Sequence, residues 1–442
     1  MRRIFILTII FCLFGFNAKA VSLISDEETE SYLYDILKPI FNAADLPLRR
    51  DYIHIVKDDS LNAFVGDQNR MFVHTGTLIK AANSNEIEGV LAHETGHILG
   101  GHILRLKIKM QDLQKATLAS MVAAAGAAAA SGRGDAAIAV VLGAQSSAIN
   151  AMSAYQMSEE RAADETAVLL LGKNHKSVKG LKDFMTKIQN ANRLQGIEEI
   201  PYFRTHPVTS ERVGFFNDKL KKERGVSNDF AKDERLKRIR AKLFAYLAPL
   251  DKVIKQYPLT DTSIAGNVAH TVYYMRQRKQ AEALKYADIL IGKEPNNPYF
   301  LELKGQILFE GGRFAEAARI YQEALSFKPQ SDLFKLNYAE AVLAGKPSAQ
   351  DLKKLIALLE QAGRNGAYPS AYLYLGRVYA DLGQMAEADY FAAEYNYALG
   401  EKEIAQKQLK KALKQNLRSD IKLRAKDLEA KLWQDKKKDS LF

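Results

Sequence analysis

The stretch His93-Glu94-Thr95-Gly96-His97 decides the reading of this chain, because five residues supply two imidazoles and a carboxylate at helical spacing. Positions four apart stack on one face of a helix, so both rings can reach a single ion. Glu94 sits beside the first histidine, where its carboxylate can polarise a water held at that ion. Zinc lowers the pKa of such a water toward neutrality, which makes it a nucleophile for a peptide carbonyl. Outward from the motif the context is helical. Glu86-Ile87-Glu88-Gly89-Val90-Leu91-Ala92 runs into it with apolar residues on a helical repeat. Asn83-Ser84-Asn85 offers helix-starting side chains, and Glu86 places a carboxylate in the first turn. The competing reading is two surface histidines on an ordinary helix.

A third ligand decides the kind of zinc site. In metzincins a third histidine follows the second by six residues, after a glycine. Here Gly100 is followed by His102, five residues after His97 and one short of that register. His102 is therefore expected to support the site or lie at the surface. The alternative is a carboxylate on a later helix, and Ser158-Glu159-Glu160-Arg161-Ala162-Ala163-Asp164-Glu165 is the candidate. Glu160 and Asp164 are four apart on one face, so one can bind the ion while the other orients a histidine ligand. Glu159 or Glu165 would serve by chemistry alone, an acidic helix often only faces solvent, and composition does not choose among them.

Taken together, several segments resemble the glutamate-zincin family that includes the CAAX prenyl proteases, the HtpX stress proteases and the periplasmic β-barrel assembly-enhancing proteases. The matching residues are Asn62-Ala63-Phe64, Phe72-Val73-His74-Thr75-Gly76, His93 to His97, Glu160 with Ala163-Asp164, and Thr205-His206-Pro207 followed by Arg212. The resemblance covers roughly residues 30 to 240. It implies that Glu160 is the third ligand and that Asp164 orients a histidine. The family usually carries Ser-Arg at four and three residues before the ligand glutamate, where this chain has Gln156-Met157. That departure weakens the expected local hydrogen bonding and removes no ligand.

The least constrained part of the site is the segment around His206, which Pro207 biases away from helix. A catalytic zinc keeps an open fourth position for water. A neutral His206 delivered there would act as a fourth ligand, displace the water and hold the enzyme latent. Swung aside, it would donate a hydrogen bond to the developing oxyanion, with Arg212 adding positive charge nearby. The competing reading is a loop histidine with no part in catalysis. The expected ligands of one zinc per chain are thus His93, His97 and Glu160, with His206 in a latent state. Glu94, Asp164, His206 and Arg212 are the expected catalytic group.

The first twenty residues read as a secretory signal. Arg2 and Arg3 precede an apolar run from Ile4 to Phe16, and Ala18-Lys19-Ala20 supplies small residues for cleavage after Ala20. The run is too short to span a bilayer comfortably. Its removal takes away the single cysteine, Cys12, so the remaining chain can form no disulfide, which suits an oxidising compartment such as the periplasm. The whole chain carries 63 basic and 52 acidic residues; the signal holds three basics and no acid, so residues 21–442 keep a net charge of +8. Residues 401–442 hold thirteen basics against seven acids, with Lys436-Lys437-Lys438 the densest cluster. A solvated helical tail accounts for this, and no aromatic-and-basic motif argues for nucleic acid.

At 442 residues the chain should hold two domains. Tyr52–Val56, Leu61–Val65 and Met71–His74 read as strands of a small sheet beside the motif helix. An edge strand of such a sheet can pair with an extended peptide. Residues 115–154 contain two alanine-rich apolar runs, Met121–Ala130 and Ala136–Ala144, broken by Ser131-Gly132-Arg133-Gly134-Asp135. Each run is far shorter than the roughly twenty residues of a span. A buried helical hairpin is expected, with membrane contact but no crossing as the alternative for this segment.

From about residue 262 the pattern repeats. Asn297-Pro298 to Pro329 reads as a tetratricopeptide unit, with Gly305 in its first helix, Gly311-Gly312 at the turn, and Ala317 and Ala324 in the second. Pro295 and Pro329 are thirty-four residues apart, as are Ala283 and Ala317, and Gly376 and Ala388 reproduce the offset between Gly305 and Ala317. Stacked helix pairs make a concave surface that binds protein segments.

The reading is an α+β chain: signal peptide 1–20, a glutamate-zincin metallopeptidase domain 21–255, and an all-α tetratricopeptide-repeat domain 262–442. The expected activity is that of an exported zinc endopeptidase cleaving protein substrates recruited by the repeats. The resemblance implies stalled or misassembled outer-membrane proteins as clients and the outer-membrane barrel-assembly machinery as partner. The rival is a non-proteolytic chaperone or scaffold with a latent zinc site. A complete ligand set beside Glu94 argues against it, since a structural zinc site needs no base.

Overall fold

The computed structural model of the protein describes residues 22–131, 134–195, 206–223, 230–364 and 367–439. The expected signal segment lies outside these residues. Helix α1 (Glu27–Ala43) starts where Asp26 accepts a hydrogen bond from the Thr29 amide at 2.9 Å, with three glutamates in its first turn. Strands β1 (Leu23–Ile24), β2 (Ile53–Val56), β3 (Ala63–Val65) and β4 (Met71–His74) form one sheet in the order β1-β2-β4-β3. β2 and β4 run parallel, β3 returns antiparallel to β4, and β3 forms an edge of the sheet. The three strands read from the sequence, Tyr52–Val56, Leu61–Val65 and Met71–His74, are β2, β3 and β4 of this sheet.

Helix α2 (Thr75–Lys80) leads to α3 (Ser84–Gly100), which carries the histidine motif. Asn83 caps α3 by accepting from the Glu86 amide at 3.1 Å, as its residue type anticipates. Ile87, Val90 and Leu91 are buried in a core shared with α1, the sheet and helix α6 (Lys179–Gln195). Gly101, at φ +64°, ends α3 in the left-handed conformation that glycine adopts without strain. The chain then turns into α4 (His102–Ser131) and returns along α5 (Gly134–Lys173). α5 lies close against α3 because Gly96 has no side chain: a Cβ there would sit 2.7 Å from the Ala163 carbonyl oxygen.

The α4–α5 pair differs from the buried hairpin expected for residues 115–154. The helices are 30 and 40 residues long, and Leu118, Val122 and Ile149 are 65%, 69% and 58% exposed. Alanine has the highest helix propensity, so these runs extend the helices on either side. At residues 115–126 and 143–154 most side chains face solvent, with Ala124 buried. Among the described residues, no helix is long and apolar enough to cross a membrane.

After α7 (Ser210–Leu220), helix α8 (Phe230–Leu247) belongs to two cores at once. Leu236, Ile239 and Leu243 pack with α1 and α3, whereas Ala241 and Ala245 pack with Val268 and Phe300 of the helical region beyond. That region consists of helix pairs, among them 264–276 with 280–293 and 298–310 with 314–327. Gly305 allows the close pairing expected of a repeat, since a Cβ there would lie 2.5 Å from the Tyr321 ring. Ala283, Ala317 and Ala324 are fully buried.

Buried charge joins the two parts. Glu27 of α1 accepts hydrogen bonds from Lys328 at 2.9 Å and Ser331 at 2.6 Å, and Lys242 of α8 lies 2.6 Å from Asp26 and 3.0 Å from Glu28. Tyr368 donates to Glu30. Burial raises the Glu30 carboxyl to about 8, against the opposing pull of that hydroxyl. A carboxyl raised above its ordinary value of 4.5 favours the fold fully below that value and loses its contribution as pH climbs through about 8. The melting temperature of the wild type relative to Glu30→Gln should therefore fall across that window. Calorimetry at its two limits checks this, and a pH-independent difference would refute it.

Candidate metal centre

α3 presents His93, Glu94 and His97 on the side where α5 crosses it, and α5 presents Glu160 and Asp164 one turn apart. Glu160, Asp164 and the three motif side chains are all buried. His93 Nε2 lies 3.1 Å from His97 Nε2 and 3.3 Å from Glu160 Oε2, and His97 Nε2 is 3.3 Å from Glu160 Oε1. His206 approaches from the segment before α7, with Nδ1 2.9 Å from Glu160 Oε1. One ligand atom from each of His93, His97, Glu160 and His206 falls within 4.8 Å of the others, so the four side chains can hold a metal ion.

The neighbouring carboxylates divide by helix face. Glu165 is exposed. Glu159 turns to the other side of His97, where Oε2 lies 2.8 Å from His102 Nε2. Asp164 stands behind His93, with Oδ1 2.9 Å from His93 Nδ1. Arg212 grips Asp164 with two parallel hydrogen bonds of 2.7 and 2.8 Å, reaches Glu160 Oε2 at 2.7 Å, and donates to the Pro207 carbonyl at 2.8 Å. The sequence reading puts the charge of Arg212 near an oxyanion. In the structure it hydrogen-bonds Asp164 behind His93 and also lies against Glu160, one of the four side chains able to hold the ion, and charged partners of this kind suit a buried guanidinium.

Glu94 is different from every other acid here. It is 1% exposed, and among the described residues neither carboxylate oxygen has a hydrogen-bond partner. Its nearest positive candidate is His206, with Nε2 3.6 Å from Oε1. Burial raises its pKa, only partly offset by His206 and His93. A buried carboxylate left without a partner beside a metal-binding cluster is suited to a mobile proton. Burial opposes charge on Glu160 as well, but His206, His93 and His97 hold its pKa well below the usual range. Burial lowers His97 to about 3, which keeps it in the neutral form that binds metals. For His93, burial is outweighed by Asp164 and Glu160, and its pKa stands at about 10. Asp164 and Glu160 thus prepare this corner of the cluster for a positive charge.

Thr205 lies outside the described residues. Arg105 is the participant that sequence reasoning missed: it lies 2.5 Å from Glu159, 54 positions away. Only the packing of α4 on α5 relates the two.

Two segments of the chain match known families. Residues 27–218 match peptidase family M48, and residues 272–332 match a tetratricopeptide repeat. The segment that matches the peptidase family thus holds His93, His97, Glu160 and His206, and the segment that matches the repeat lies in the helical region beyond it. It is 23% identical over 313 residues to the β-barrel assembly-enhancing protease of Yersinia pestis, covering 69% of this chain and 63% of that one. The β-barrel assembly-enhancing protease of Escherichia coli strain K12 is 22% identical over 332 residues, covering 73% and 66%. The match therefore spans just under two thirds of either relative. An HtpX protease homologue of Pelotomaculum thermopropionicum is 29% identical over 224 residues, covering 44% of this chain and 77% of its own.

Proposed function

We propose that this chain is an exported zinc endopeptidase that acts on proteins during outer-membrane β-barrel assembly, with the helical repeats recruiting clients or the assembly machinery. The observation that carries the zinc reading is the spacing of the three ligands. Ligand atoms about 2.0–2.1 Å from a tetrahedral zinc stand about 3.3 Å from one another. The separations among His93, His97 and Glu160 are 3.1, 3.3 and 3.3 Å. Two imidazoles and one carboxylate are also the donor set of many catalytic zinc sites.

Zinc bound there would supply Lewis acidity toward water and the scissile carbonyl. The chain's own residues do the rest. Glu94 takes the proton of the attacking water and returns it to the leaving amine. Asp164 fixes the His93 ring through Nδ1, and Arg212 in turn fixes Asp164. The free edge of β3 can hold an extended substrate by main-chain hydrogen bonds. The client class follows the names of the relatives, and the periplasmic location follows the signal read in residues 1–20. Cleavage of casein by the zinc-loaded chain, lost on chelation and restored by zinc, is the expected result. Proteolysis that persists with all metal removed would sink the reading.

His206 supports a latent resting form, because its ring nitrogens lie against both Glu160 and Glu94, where substrate and water must enter. His206→Ala should retain zinc on the three remaining ligands and raise basal casein cleavage severalfold. A fall in turnover would assign His206 to oxyanion stabilisation instead, and an unchanged rate would remove it from the mechanism.

A further inference from the structure

His93 and His97 are supported by different devices. His93 meets a carboxylate directly, at Asp164. His97 meets another histidine: its Nδ1 lies 2.6 Å from His102 Nδ1. The adjacency is built into the chain turn. Gly101 ends α3 with positive φ, and His102 folds back over the last turn of α3 so closely that a Cβ on Gly100 would stand 2.0 Å from its Nε2. His102 is buried. On its far side stands Glu159, at 2.8 Å, a charge contact rather than an aligned hydrogen bond. Arg105, one turn along α4 from His102, holds the same Glu159 oxygen at 2.5 Å.

We propose that His102, backed by Glu159 and Arg105, is a positioning residue that fixes the tautomer and ring orientation of His97 for the metal. The proposal rests on the zinc reading of the His93, His97 and Glu160 cluster. The proton positions follow in order. His97 Nε2 faces His93 and Glu160, so as a ligand it carries no proton. The neutral ring then carries its proton on Nδ1. That N–H can donate only if His102 Nδ1 is bare, which places the His102 proton on Nε2, facing the Glu159 carboxylate. The other tautomer of His102 would set two N–H groups against each other at 2.6 Å. The charge of Glu159, held in place by Arg105, selects the favourable form.

The consequence is that adjacent residues of α5 hold His97 from both ring nitrogens. Glu160 lies on the Nε2 side, and Glu159 acts on the Nδ1 side through His102. Carboxylates and other partners behind a ligand histidine raise its basicity and restrict its rotation. His102 thus has a role that its register, one residue short of a ligand position, does not suggest.

The test uses the full chain as wild type, His102→Ala, His102→Gln and Glu159→Gln. Zinc affinity is measured by chelator competition, and the ligand field by the visible spectrum of the cobalt-substituted protein. His102→Ala should weaken zinc binding by about 10- to 100-fold. His102→Gln should recover most of that loss, because its amide oxygen can accept from His97 Nδ1–H. Glu159→Gln should give a severalfold loss with a shifted cobalt band. Unchanged affinity in folded His102→Ala, or equal losses in the alanine and glutamine variants, would overturn the proposal. If His102→Ala does not fold, an unchanged affinity and band in Glu159→Gln overturns it. Failure of the wild type to bind zinc would instead refute the zinc reading on which it rests.

Discussion

Glu94→Gln should lower casein turnover by about two to four orders of magnitude while the zinc content stays at one ion per chain. The substitution keeps the shape of the side chain and removes its ability to carry a proton. Two to four orders correspond to about 3–5 kcal/mol of lost transition-state stabilisation. The ligands are untouched, since Glu94 lies outside the group of four side chains able to hold the ion. The fold should also be kept, because the carboxylate it replaces is buried with neither oxygen hydrogen-bonded among the described residues. Metal analysis and a thermal melt on the same preparation separate lost chemistry from lost metal. Wild-type turnover in this variant would show that Glu94 is not the base.

Removing a ligand should have the second large effect. His93→Ala, His97→Ala and Glu160→Ala should each abolish stoichiometric zinc binding and, with it, proteolysis. Asp164→Ala should retain zinc when the metal is in excess, with affinity lowered by about 10- to 100-fold, because Asp164 acts on the His93 ring from behind. Glu159→Ala and Glu165→Ala should remain fully occupied under the same conditions, as one faces His102 and the other solvent. Zinc analysis is complemented by melting with and without added metal. A ligand at about a thousand times its Kd stabilises the folded form by about 4 kcal/mol, so the zinc-dependent rise in melting temperature should vanish in the three ligand variants. Full occupancy of Glu160→Ala, with loss in Glu159→Ala or Glu165→Ala, would move the third ligand to a neighbour.

Local spacing carries most of what the sequence determines here. The pair His93 and His97, the cap at Asn83 and three strands depend on neighbours a few residues apart, and the repeats on a fixed period of thirty-four residues. Backbone geometry relates such neighbours whatever the rest of the chain does. The same logic narrowed the later acidic ligand to one stretch of α5 but could not choose among its four carboxylates, which differ only in the helix face they occupy. Close approach of α5 to α3 at Gly96 selects that face, since it turns Glu160 toward both histidines and leaves Glu165 in solvent. The commitment of Arg212 to Asp164, the chain from His97 through His102 to Glu159, and the seat of His206 beside Glu94 likewise join residues far apart in sequence. The exposed hairpin of α4 and α5 shows the converse. Alanine-rich composition is compatible with a buried core and with a projecting helix pair alike, and only the presence or absence of a partner surface distinguishes them. Contacts made across the chain therefore decided how Glu160, Asp164, His206 and Arg212 gather around the cluster, whereas residue type and spacing determined which helix would carry its two histidines.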